Sequence, residues 1–131
     1  MKRLAIAISA LGILFVISVA AFGQKMTRIK FSRGATSATI TGTLSGYRSH
    51  RTFVIRVRRG QTLKTENVGK TYITIGIEAP PGSTYEQDMA ADCYDRNEVS
   101  PTAAGAYKIT VTECRKADAW KGRFRFRVTV R

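Results

Sequence analysis

Residues 122–131 read GRFRFRVTVR, a stretch in which apolar and cationic side chains alternate. The even positions from 124 to 130 are apolar: Phe124, Phe126, Val128 and Val130. The odd positions from 123 to 127 are cationic: Arg123, Arg125 and Arg127. Because successive side chains of a β-strand point to opposite faces, this pattern predicts a strand with one face in a core and the other in solvent.

Shorter segments with the same two-residue period recur between 27 and 113, separated by Gly, Pro, Ser and Asn. In three of them the apolar positions are Phe53, Ile55 and Val57, then Ile73, Ile75 and Ile77, then Tyr107, Ile109 and Val111. A weaker strand is expected around AADCY, residues 90–94. No segment of the domain shows convincing helical periodicity. About eight strands at this spacing predict an all-β fold, an antiparallel β-sandwich of jelly-roll type.

Residues 1–23 have the composition of a secretory signal peptide. Lys2 and Arg3 precede an apolar run at 4–21, and small residues follow it. Cleavage after Ala21 or after Gly23 fits equally well. The predicted division is a signal peptide at 1–23 and one sandwich domain at 24–131, secreted or periplasmic. An uncleaved membrane anchor is the alternative, since about 18 apolar residues approach the minimum for a spanning helix.

Export to an oxidising compartment would favour a disulfide between the two cysteines, Cys93 and Cys114. In an oxidising compartment a pair of cysteines is usually a disulfide, and within one chain it would close a loop of about 22 residues, worth about 3 kcal/mol. A pairing between two chains stays open at this stage.

No metal or cofactor is predicted. The chain has one histidine, His50, and no Cys-x-x-Cys pair. Five acids lie close together, but they lack the spacing of a calcium-binding loop and are expected to be a solvated segment. They are Glu86, Asp88, Asp92, Asp95 and Glu98.

The charge balance is strongly basic, with 22 Lys and Arg against nine Asp and Glu. The formal net charge is +13, and removal of Lys2 and Arg3 with the signal would leave +11. Such an excess favours anionic partners. Seven cations occupy outward positions of the predicted strands: Arg28, Lys30, Arg56, Arg58, Arg123, Arg125 and Arg127. If their strands are neighbours in one sheet, they form one continuous cationic face.

Catalysis is not predicted. His50 lies in a polar turn, and no nucleophile or pair of acids is identifiable by spacing. Trp120, the only tryptophan, is flanked by Lys116 and Lys121; it is interpreted as a cap on the open end of the sandwich, with a loop anchor to a membrane or glycan as the alternative. Nucleic acid is not expected, because the chain carries an export signal and no base-stacking motif.

Four segments together resemble a known group of proteins: RIKFSRGATSATITGTLSGY, RVRRGQTLK, APPG and SPTAAGAYKITV. The pattern is similar to small secreted bacterial β-sandwiches of the pre-peptidase C-terminal type, a group that includes periplasmic inhibitors of g-type lysozyme. The resemblance covers about residues 27–131 and implies a jelly-roll-like sandwich rather than any activity. The chain departs from the pattern in its cysteine pair and its higher basic charge.

Two functions follow as hypotheses. The first is a non-catalytic binding module that associates with an anionic polymer or lipid of the cell envelope through the basic face. The second is a periplasmic inhibitor of a g-type lysozyme or another secreted hydrolase, with loops such as residues 79–87 entering the enzyme's cleft. A structural accessory domain is a third possibility. The oligomeric state is not predicted.

Overall fold

The computed structural model describes residues 25–87, 93 and 96–131. The predicted signal peptide at 1–23 lies outside these residues, as do Asp88, Asp92 and Asp95 of the acidic segment and most of the stretch 90–94. The nearest strand that the structure describes beyond that stretch begins at Arg96.

The described part of the chain contains eight β-strands. They are β1 (Met26–Arg28), β2 (Ser37–Ser45), β3 (His50–Val57), β4 (Leu63–Asn67), β5 (Ile73–Glu78), β6 (Arg96–Val99), β7 (Gly105–Glu113) and β8 (Lys121–Val130). The first sheet has the order β1-β3-β7-β5, and the second has the order β2-β8-β4-β6. The predicted all-β sandwich of about eight strands is therefore confirmed. One pair, β1 with β3, is parallel, and the other pairs are antiparallel.

The core lies between the two sheets and is built from the inward positions that the alternation predicts. Phe53 on β3 meets Phe124 and Phe126 on β8, with ring centroids 6.3 and 5.5 Å away in edge-to-face geometry. Such aromatic pairs contribute about 0.5–1.5 kcal/mol each beyond their burial. Gly42 on β2 is opposite Phe124 in register, and a Cβ atom there would lie 2.4 Å from the ring. Glycine at this position makes room for the phenylalanine.

The free edge of β5 is covered by side chains. Gln87 accepts a hydrogen bond from Ile77 N (2.6 Å) and donates one to Ile75 O (2.9 Å), as a neighbouring strand would. Asn97, which is buried on β6 of the other sheet, also donates to Ile75 O (3.0 Å). The two amides thus occupy the backbone groups of an edge that would otherwise be open to another strand.

Candidate interaction surfaces

The structure divides the seven predicted basic residues between the two sheets. Arg28 on β1 and Arg56 on β3 belong to the first sheet; Lys30 is the second residue after β1, and Arg58 is the first after β3. The three arginines of β8 belong to the second sheet. The condition that their strands be neighbours in one sheet is not met, so the seven residues do not form one continuous face. Alternation along a strand specifies a face, whereas strand order depends on contacts between distant segments.

On the second sheet, the outer face of β8 carries a column of four exposed cations: Lys121, Arg123, Arg125 and Arg127. We call it the β8 cation column. Each cation is opposite a hydroxyl side chain of β2 in register, in the pairs Ser45 with Lys121, Thr43 with Arg123, Thr41 with Arg125 and Thr39 with Arg127. The outer face therefore presents a row of charges beside a row of hydroxyl groups.

The acids of this outer face have their own partners. Lys64 on β4 pairs with Glu98 on β6 at 3.4 Å, and Arg96 on β6 pairs with Glu66 on β4 at 3.5 Å. Among the residues that the structure describes, the β8 cation column makes no ion pair. Its positive charge is therefore available to a ligand.

A second surface lies where three loops meet at one end of the sandwich. The loops connect β2 to β3, β4 to β5 and β7 to β8. They carry Tyr47, Tyr72 and Trp120; the tyrosines are 38% and 68% exposed, and Trp120 is half-buried against the core. We call this surface the aromatic end. Arg48, Arg115 and Lys116 are exposed in the same loops together with one acid, Asp118, so the end is aromatic and predominantly cationic.

Hydrogen bonds hold these loops to one another. Tyr47 Oη donates to Ala117 O, and Gly46 N donates to Trp120 O at 3.0 Å. The indole Nε1 of Trp120 donates to Tyr72 O at 3.2 Å. Each loop is thus hydrogen-bonded to another, so the loops that carry the two exposed tyrosines are held in fixed relative positions.

Glu113 supports the aromatic end from inside. Its side chain is 1% exposed, and its Oε1 accepts a hydrogen bond from Trp120 N at 2.6 Å. Within the described part of the chain its Oε2 has no hydrogen-bond partner. A buried oxygen without a partner needs an explanation. Here Oε2 is buried because the same carboxyl group fixes Trp120 through Oε1.

The disulfide lies next to the same end. Cys93 and Cys114 are bonded within one chain, with Cα atoms 4.8 Å apart, which confirms the predicted bond. Cys114 N donates to Tyr72 O at 3.1 Å, and Cys93 N donates to Thr74 Oγ1 at 3.0 Å. The bond therefore joins the segment before β6 to the base of the aromatic end.

The segment 79–87, which the sequence suggested as an enzyme-binding loop, begins at the other end of the sandwich. Its portion 81–84 lines a depression of about 450 Å³ together with Arg59 and residues 101–104. Its later part runs along β5, where Gln87 is bonded. The structure thus separates this loop from the aromatic end.

Sequence reasoning did not single out Tyr47 and Tyr72. The available signal was an aromatic residue in a turn beside Gly or Lys, in SGYR and in GKTY. The alternation of apolar and polar residues marks strands, so it leaves such residues in loops. It does not show that two loops far apart in sequence come together.

Other predicted features are placed as follows. His50 is exposed at the start of β3. No group of three or more His, Cys, Asp or Glu side chains suited to a metal occurs among residues 25–87, 93 and 96–131. Within the same residues no helix is long and apolar enough to cross a membrane.

Comparison with solved structures identifies proteins of the same fold. Aeromonas hydrophila PliG, a periplasmic inhibitor of g-type lysozyme, is 20% identical; the match covers 81% of this chain and 96% of that one, with a TM-score of 0.62. Salmonella Typhimurium PliG, also a periplasmic inhibitor of g-type lysozyme, is 17% identical over 82% of this chain and 99% of that one, with a TM-score of 0.60.

The pre-peptidase C-terminal domain of a Bacillus anthracis collagenase is 14% identical over 83% of this chain and 97% of that one, with a TM-score of 0.50. No protein-family model and no curated protein matches the sequence. The resemblance noted from the sequence is confirmed at the level of the fold.

Proposed function

We propose that this protein is a secreted, non-catalytic inhibitor of a g-type lysozyme or a related secreted hydrolase, and that it binds the enzyme through the aromatic end. The solved inhibitors of g-type lysozyme share its fold over more than four fifths of the chain, which supports this class of function. Their periplasmic location and the pattern at residues 1–23 support export of this chain. The mass of the exported protein would test removal of that segment.

The observation that carries the proposal is the pair of exposed tyrosines on hydrogen-bonded loops. Tyr, Trp and Arg dominate the binding energy of protein interfaces. Tyr47 and Arg48 are adjacent in one loop, and Tyr72 projects from the next. Because these loops are already fixed to one another, little conformational entropy is lost on binding.

The chemistry of the aromatic end suits a glycosidase cleft. Such clefts contain paired carboxylates that act on the glycosidic bond. Arg48 and Arg115 offer bidentate guanidinium groups to carboxylates, and Tyr72 offers a ring where a sugar would otherwise bind. The basic end is therefore complementary to the catalytic region even if the enzyme's remaining surface is basic.

Lysis of a peptidoglycan suspension by g-type lysozyme, with and without the purified domain, tests the proposal. We expect inhibition by the unmodified domain, and a weakening of at least tenfold in Tyr72→Ala and in Arg48→Ala, since interface hot spots contribute about 2 kcal/mol or more. Arg59→Ala removes an arginine that is also exposed, at the opposite end, and serves as the matched control.

Two outcomes would contradict the proposal. No inhibition by micromolar domain, across g-type and other lysozymes, would remove the inhibitor function. Loss of inhibition in Pro81→Ala or Arg59→Ala, with Tyr72→Ala unaffected, would move the contact to the end that carries residues 79–82.

A further inference from the structure

The β8 cation column has a regular spacing. Side chains on one face of a strand repeat at about 6.8 Å, so the four cations from Lys121 to Arg127 span about 20 Å. All four are exposed, and they make no ion pair within the described residues. The charge therefore forms a straight line rather than a cluster.

The column follows a single strand. On its β2 side the neighbouring side chains are uncharged hydroxyl groups, of which Thr43 accepts a hydrogen bond from Arg51 at 3.4 Å, and on its β4 side Arg127 is opposite Glu66 in register. The cations farther out, Lys64 and Arg96, are paired with Glu98 and Glu66. A planar anionic surface would have to cover these acids as well, whereas a linear ligand would contact only the unpaired cations.

A shallow depression accompanies the middle of the column. It has a volume of about 230 Å³ and is lined by Thr41, Arg123, Arg125 and the 68–70 loop, which includes Lys70. The loop is held against β8 because Val68 N and Gly69 N both donate to Arg125 O at 3.1 Å. One wall of the depression is thus a fixed loop with a further cation.

Each pair of opposed residues in the column combines two kinds of donor. In three of the four pairs a guanidinium presents parallel N–H groups to two oxygens of one anion, and the opposed threonine adds an O–H, with Cα atoms about 4.5–5.5 Å apart across the strands. A phosphodiester accepts such a set, because it has two ester oxygens and two further oxygens that share one negative charge per repeat.

We propose that the β8 cation column binds a linear polyanion with a phosphodiester backbone, laid along β8 between the β2 hydroxyl groups and the 68–70 loop. The surface lies on the outer face of the second sheet and adjoins the aromatic end, because Lys70 and Tyr72 belong to the same loop between β4 and β5. It would retain the protein on a phosphate polymer through residues other than those proposed to contact the enzyme. The proposal does not depend on the inhibitor function.

Binding of a labelled poly(glycerol phosphate) oligomer, measured by fluorescence anisotropy at several salt concentrations, tests this. If each of the four column cations and Lys70 neutralises one phosphate of a flexible chain, the logarithm of affinity falls with the logarithm of salt with a slope of about −3.5. A rise from about 50 to 200 mM salt then weakens binding roughly 130-fold.

The decisive variant is Arg123→Gln, Arg125→Gln, Arg127→Gln, which leaves Lys121 as the only cation of the column. With Lys121 and Lys70 left, its slope should fall to about −1.4, so the same rise in salt should weaken its binding only about sevenfold. Arg28→Gln, Arg56→Gln, Arg58→Gln removes the same charge from the other sheet and should keep the original slope. If the decisive variant does not fold, Arg125→Gln alone should give a slope of about −2.8.

Several results would overturn the proposal. Equal slopes in the two triple variants would show that net charge alone causes binding. Tighter binding to vesicles of phosphatidylglycerol and phosphatidylcholine, or equal binding to polygalacturonate, would assign the column to a membrane or to carboxylates. Lysozyme inhibition should be unchanged in the decisive variant, so a failure of this proposal is distinguishable from a failure of the inhibitor function.

Discussion

At the scale of single residues, Gly42 and Phe124 show how closely the core is fitted. A Cβ atom at Gly42 would lie 2.4 and 2.7 Å from two atoms of the Phe124 ring. The ring is fully buried and stacks on Phe126 at 6.2 Å, so it has little freedom to move away. Any side chain at position 42 would displace the aromatic cluster.

We therefore expect Gly42→Ala to lower the free energy of unfolding by about 1–3 kcal/mol, the usual effect of overpacking a core. Gly76→Ala is the matched control, because a Cβ atom there meets nothing closer than Thr110 O at 3.7 Å. Urea unfolding of both variants measures the difference. Equal stability in the two would contradict the fit described for Phe124.

Glu113 is the second residue whose environment makes a definite prediction. Glu113→Ala removes the acceptor of Trp120 N and should destabilise the domain by about 1–3 kcal/mol. It should also shift the fluorescence of the single tryptophan to longer wavelength. Glu113→Gln keeps an oxygen acceptor for Trp120 N, so its stability and its spectrum should stay close to those of the parent. A red-shifted Glu113→Gln spectrum would show that an amide oxygen cannot replace the carboxyl group.

At the scale of elements, the edge of β5 is notable because a side chain replaces a strand. Gln87 pairs with both Ile75 O and Ile77 N, and Asn97 reaches Ile75 O from the other sheet. An uncovered edge of this kind is a template for association with another chain.

Gln87→Ala should cost about 1–2 kcal/mol of stability, because it leaves the Ile77 amide without its partner. Hydrogen exchange at Ile77 should accelerate, and the variant should associate at high concentration, as light scattering would detect. Glu86→Ala changes the exposed neighbour and should do neither. Unchanged exchange at Ile77 in Gln87→Ala would disprove the role assigned to Gln87.

The strands also show how far the sequence predicts the structure. The alternation at 122–131 correctly places Phe124 and Phe126 in the core and Arg125 in solvent. It does not predict that β3 and β8 belong to different sheets, because a period of two contains no information about neighbours. Gln87 was beyond sequence analysis for the same reason, since its function depends on a segment folding back beside β5.

At the scale of the whole molecule, the disulfide stabilises the domain by restricting the unfolded chain. Cys114 is buried, and the bond to Cys93 spans 21 residues. Replacement of both cysteines by alanine should lower the free energy of unfolding by about 3 kcal/mol. Unfolding curves of the parent with and without reductant should differ by a similar amount, whereas the double variant should not respond to reductant. If reductant also lowered the free energy of unfolding of the double variant, the loss could not be assigned to the Cys93–Cys114 disulfide.

The strand order of the second sheet has a consequence for how the chain reaches its native state. β8 lies between β2 and β4, and among the strands that the structure describes it is the one hydrogen-bonded neighbour of β2. Because β8 follows all the other strands in sequence, a ribosome delivers β2 long before its partner exists. The second sheet can close only after the Arg-rich strand has been synthesised. Until then β2 and β4 lack the strand that joins them, and the inward face of the first sheet has no complete partner to pack against.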